Sequence, residues 1–77
     1  MTPERLAAKQ AGVRLWIRRM RLNLTQAELA ELSRQPIKTI DIMEKASRKV
    51  SRAARRAVEG ALQAAERKRL EGEGRDP

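Results

Sequence analysis

The residues of this chain that could do chemistry are almost all cations. Its 77 residues carry eighteen Lys and Arg against ten Asp and Glu, a formal net charge of +8. Lys45, Arg48, Lys49, Arg52, Arg55 and Arg56 crowd into one short stretch. A surplus that large on a small chain speaks about partners: polyanions come first, nucleic acid ahead of anionic membrane. There is no histidine and no cysteine, so thiolate and imidazole chemistry and their metal sites are excluded. Neither a glycine-rich phosphate loop nor a carboxylate pair spaced for acid–base work is legible. The sequence therefore reads as a non-enzyme, with no cofactor, no metal and no small-molecule ligand expected. Trp16 is the sole aromatic residue, which argues against a single-strand binder built on base stacking.

Cations need elements to position them, and the length allows one small domain. Thr2-Pro3-Glu4 is a helix start: a hydroxyl N-cap, proline at the first position and a carboxylate in the first turn. The helix should run to about Leu22, with Val13, Trp16, Ile17 and Met20 as its apolar face and Gly12 as a point of loosening. Thr25 and Glu28 make the S/T-x-x-E pattern of a capping box, opening the short helix "QAELAELS". Arg34 and Gln35 form a turn, and Pro36 suits the first position of a third helix, "PIKTIDIMEK". Ser51 can cap a last helix, "RAARRAVEGALQAAERKRL", striped by Ala54, Ala57, Val58, Ala61, Leu62 and Ala65. No segment alternates like a strand. The expectation is an all-α, four- to five-helix bundle over residues 1–70, with 71–77 as a disordered tail.

Short helix, tight turn, short helix, with apolar residues on facing sides, specifies a helix-turn-helix. Ala30 is the small side chain that lets the third helix cross the second closely. At "LTQAELAELS" and "TIDIMEKA" the chain resembles the helix-turn-helix domains of the lambda and 434 repressor and Cro type, the XRE family. The likeness runs from about Val13 to Leu62, and Leu24 to Ala30 is its specific part. It implies that Arg19 pairs with Glu44, tying the third helix to the scaffold. It also implies that this helix reads base edges through Ile37, Lys38, Thr39 and Ile42, with Lys38 donating to guanine and the isoleucines meeting thymine methyls. Gln26, Lys45, Arg48, Lys49 and Arg52 match positions that lie on the DNA backbone. The chain departs from the family at the turn, where Arg34 replaces a glycine, at Ser33, which replaces an aliphatic residue, and at Ala46, which replaces a second glycine. An altered turn geometry is therefore expected.

One recognition helix reads only a few base pairs, so a homodimer on a palindromic double-stranded operator is expected. The alanine-rich stripe of the last helix, Ala54, Val58, Ala61, Leu62 and Ala65, is the candidate dimer interface, with an intramolecular core as its competing role. The resemblance implies an autoregulatory repressor of a phage, plasmid or other mobile-element operon, such as a toxin–antitoxin, restriction–modification or anti-CRISPR-associated one. The alternative is a small basic protein-interaction module, inhibitor or antitoxin-like, binding an acidic partner. No segment has the length and apolarity of a membrane span, and the absence of cysteine suits a reducing cytoplasm.

Overall fold

The computed structural model describes residues 2–74, folded as four α-helices: α1 (Pro3–Arg21), α2 (Gln26–Ser33), α3 (Ile37–Lys45) and α4 (Arg52–Gly74). The chain is all-α, as its patterning predicts. The N-caps follow the sequence signals. Thr2 Oγ1 accepts from the Arg5 N–H at 3.3 Å. Thr25 Oγ1 accepts from the Glu28 N–H at 3.0 Å while the Glu28 carboxylate accepts from the Thr25 N–H at 2.8 Å, completing the capping box. Ser51 Oγ accepts from the Ala54 N–H at 3.1 Å and starts α4. Pro36 sits one place earlier than expected, as the N-cap of α3.

The first three helices end alike. Asn23, Arg34 and Ala46 all adopt the left-handed conformation, at φ 56°, 56° and 52°. In each case the next amide reaches back to the carbonyl five residues earlier: Leu24 to Arg19, Gln35 to Ala30 and Ser47 to Ile42. These are Schellman-type ends, which glycine usually occupies. The turn after α2 thus keeps a left-handed geometry with an arginine in place, and the altered geometry expected there does not occur.

Leu15, Leu29, Ala30, Ile40, Val58 and Leu62 form the core, with Leu22, Met43 and Ala61 packed against it. α1 packs on α3, and α2 on both α3 and α4. Ala30 is buried as the close crossing requires. Ser33 is buried too, and its hydroxyl donates to the Leu29 carbonyl at 2.7 Å, so the polar group at this aliphatic position is satisfied.

The inward face of α1 is not the expected one. Gly12, Leu15 and Arg19 are buried, whereas Val13, Trp16 and Met20 remain about half exposed at 52%, 48% and 49%. Gly12 explains the choice. A Cβ there would lie 2.8 Å from the Met43 carbonyl oxygen and closer still to that of Glu44, so the hydrogen side chain lets the α1 backbone rest on the end of α3. Gly12 does not loosen α1, which is continuous through it. α4 likewise outruns its expected end: residues 71–74, read as disordered, extend the helix, and the rest of that tail lies outside the described residues.

Candidate nucleic-acid interface

α3 is fixed in place by a polar network at its C-terminal half. Arg19 donates to Glu44 through Nε at 2.5 Å and Nη2 at 3.0 Å, and through Nη1 to the Leu24 carbonyl at 2.8 Å. Both side chains are more than nine-tenths buried. The Glu44 hydrogen bond holds the Arg19 guanidinium above its ordinary pKa against the opposing effect of burial. The pair expected from the sequence is therefore present, as a buried bidentate one.

Gln26 joins the same network. Its Nε2 lies 3.1 Å from Glu44 Oε1 and 3.3 Å from Asp41 Oδ1, so the start of α2 grips α3 directly. A Gln26 amide engaged in this way is positioned by α3, whatever else it touches. Asp41 also meets Lys45 Nζ at 3.2 Å, one helical turn on. The Gln26 hydrogen bond first, and Lys45 second, lower the Asp41 carboxyl below its usual range.

With α3 held from behind, its first turn is open. Ile37 and Lys38 are exposed and Thr39 is half-buried. Ile42 is a correction: it is 8% exposed and turned inward, so it has no methyl surface to offer a base. Its place between Asp41 and Met43 on a short helix gave no periodic signal for this, because so few residues leave the inward face ambiguous. Asp41 is not among the residues that the sequence singles out. Lys38, Asp41 and Lys45 follow one another at three- and four-residue spacing, so the outer face of α3 carries a carboxylate between two ammonium groups. That spacing was legible in the sequence. A carboxylate on this face can accept from cytosine N4.

Beyond α3, Lys45, Arg48, Lys49, Arg52, Arg55 and Arg56 are all exposed. Arg48, Lys49, Arg52, Arg55 and Arg56 line one side of a cleft of about 680 Å³ between α1 and α4, and α1 adds Arg5 and Arg14 from the other. The inner end of this cleft is closed by Arg18, which donates to Glu59 at 2.8 Å and to Glu66 at 2.7 Å. The Glu66 and Glu59 hydrogen bonds hold Arg18 well above its ordinary value, and Arg18 in turn lowers the Glu66 carboxyl.

The expected dimer stripe is largely internal. Val58 and Leu62 are fully buried in the core, and Ala54, Ala61 and Ala65 are half-buried. The stripe is long because α4 must cover α2 along its length, and small residues let it do so closely. Ala61 and Ala65 also border an open apolar groove of about 590 Å³ with Leu22, Leu24 and Leu32. Among the described residues, no helix is long and apolar enough to cross a membrane, and no group of acidic residues is placed to hold a metal. Comparison with protein-family models, with curated proteins and with solved structures found no match for this chain.

Proposed function

We propose that the chain is a sequence-specific double-stranded DNA-binding regulator of the lambda and 434 repressor and Cro (XRE) type, working in the cytoplasm. The observation that carries this reading is the mounting of α3. A buried network of Arg19, Glu44 and Gln26 fixes its rear, while Ile37 and Lys38 are exposed and Thr39 is half-buried beside an exposed basic connector. A rigidly held helix with a free first turn suits reading in the major groove, and Arg48, Lys49 and Arg52 suit the flanking phosphates. A homodimer on a palindrome extends the short site that one helix reads. Occupancy of the operator that follows protein concentration through dimerisation is the behaviour of an autoregulatory repressor from a phage, plasmid or other mobile element.

Binding of a selected duplex and of a scrambled one by Lys38→Ala tests the reading. Loss of the preference between them, with non-specific binding retained, supports it. Equal losses on both remove Lys38 from the reading set.

A second reading draws on the exposed Val13, Trp16 and Met20, which share one side of α1 with Lys9 and Arg14 close by in sequence. An apolar strip with cations around it suits a protein partner of acidic surface, the interaction-module alternative.

A further inference from the structure

The cleft between α1 and α4 has a charge arrangement that the packing of the helices does not require. At its inner end acids outnumber cations, because Arg18 is shared by Glu59 and Glu66. Toward the start of α4 the sign reverses. Arg52, Arg55 and Arg56 follow on α4, Arg48 and Lys49 come from the connector, and Arg5 and Arg14 line the cleft from α1. Glu4 is the one other acid in the lining, and none of these seven cations takes part in an ion pair among the described residues. Cations on both walls of one cleft repel each other and weaken the α1–α4 contact.

We infer that this cleft takes one phosphodiester strand of duplex DNA, running beside the groove that α3 reads; the inference rests on the DNA-binding function proposed above. Three features select this ligand. The cations form a row: Arg52 and Arg56 are one helical turn apart, about 6 Å along the axis, which matches a repeating charge better than one compact anion. The floor is Ala8, Ala11, Leu15 and Met43, and the chain's only aromatic, Trp16, does not line the cleft. Without a stacking platform the cleft suits a sugar-phosphate backbone and not unpaired bases. Finally, the connector that carries Arg48 and Lys49 directly follows α3, so a strand in the cleft is continuous with a duplex lying on that helix. The first half of α1, exposed from Pro3 to Ala11, becomes the outer wall of a DNA-binding channel.

The test is the double variant Arg5→Gln/Arg14→Gln, measured with a mixed-sequence duplex about three turns long over a salt series. Losing two phosphate contacts lowers the slope of log K against log salt by about 1.8, at about 0.9 for each. Without DNA, the same variant melts higher than wild type at low salt, because the opposed charges are relieved, and this shift vanishes at high salt. An unchanged slope overturns the cleft assignment while leaving α3 as the reader. A reduced slope, alongside a Lys38→Ala variant that discriminates sequences as wild type does, keeps the cleft and overturns the reading role of α3. Failure of wild type to bind any duplex overturns both.

Discussion

The guanidinium of Arg19 lies bidentate on the carboxylate of Glu44, joining the last turn of α1 to the last turn of α3 across a buried contact. Gln26 and the Leu24 carbonyl complete the cage from the start of α2. Three helices therefore meet at one ion pair, whose disruption leaves a buried charge unpaired. Glu44→Gln should cost about 3 kcal/mol or more, read as a lower midpoint in chemical denaturation with an unchanged denaturant slope. A loss below about 1 kcal/mol would place the pair in solvent.

Gly12 and Gly60 provide a matched comparison within one molecule. A Cβ at Gly12 collides with the Met43 and Glu44 carbonyls, whereas one at Gly60 meets nothing within 4 Å. Gly12→Ala should destabilise by about 1–3 kcal/mol through forced separation of α1 from α3. Gly60→Ala should stabilise by up to about 1 kcal/mol, from helix propensity alone. Thermal unfolding of the two variants checks both signs.

Arg34 and Ala46 hold left-handed conformations that cost a side-chain-bearing residue about 1–2 kcal/mol. Arg34→Gly should therefore raise stability despite removing a long side chain, less the entropy that glycine adds to the unfolded chain. Asn23→Gly should gain less, since asparagine tolerates this conformation. Equal gains at both positions would contradict the strain argument.

Acid should weaken the fold through carboxylates whose pKa is lowered on folding. Glu66 is lowered from 4.5 chiefly by its hydrogen bond from Arg18, and Asp41 from 3.8 chiefly by that from Gln26. For a lowered carboxyl, the stabilisation is fully present above its unfolded value and disappears as pH falls through the folded one. The melting midpoint should hold from neutrality to about pH 5 and decline below, and Glu66→Gln should flatten part of that decline. A decline of the same size in Glu66→Gln would show that Arg18 does not stabilise this carboxylate.

Much of this architecture could be read from the sequence because its signals are local. Thr25 and Glu28, Thr2 and Pro3, and Ser51 fix helix starts through bonds spanning three residues, and all three start where expected. The pairing of Arg19 with Glu44 came from family resemblance, and the structure contains it. What failed was the choice of helix face. Counting apolar residues favours Val13, Trp16 and Met20, yet a glycine and an arginine decided the inward side of α1. Neither adds to an apolar count; one acts through absent volume, the other through a distant carboxylate. Val58 and Leu62 show the same limit, because a stripe on α4 does not say whether the chain itself or a second copy covers it.

The exposure of Trp16 is directly measurable, since no other tryptophan, tyrosine or phenylalanine contributes to the signal. Its emission should be that of a solvated indole, readily quenched by a neutral collisional quencher. Strong protection from the quencher, retained on dilution, would return Trp16 to an interior.

The proposed function depends on α3 as a reader of duplex DNA. Selection of bound duplexes from a random library at near-physiological salt, followed by sequencing, tests this most directly. The expected result is one enriched two-fold palindrome with half-site centres about 34–36 Å, or one helical turn, apart, lost in Lys38→Ala. No enrichment, or no retained duplex, would contradict it.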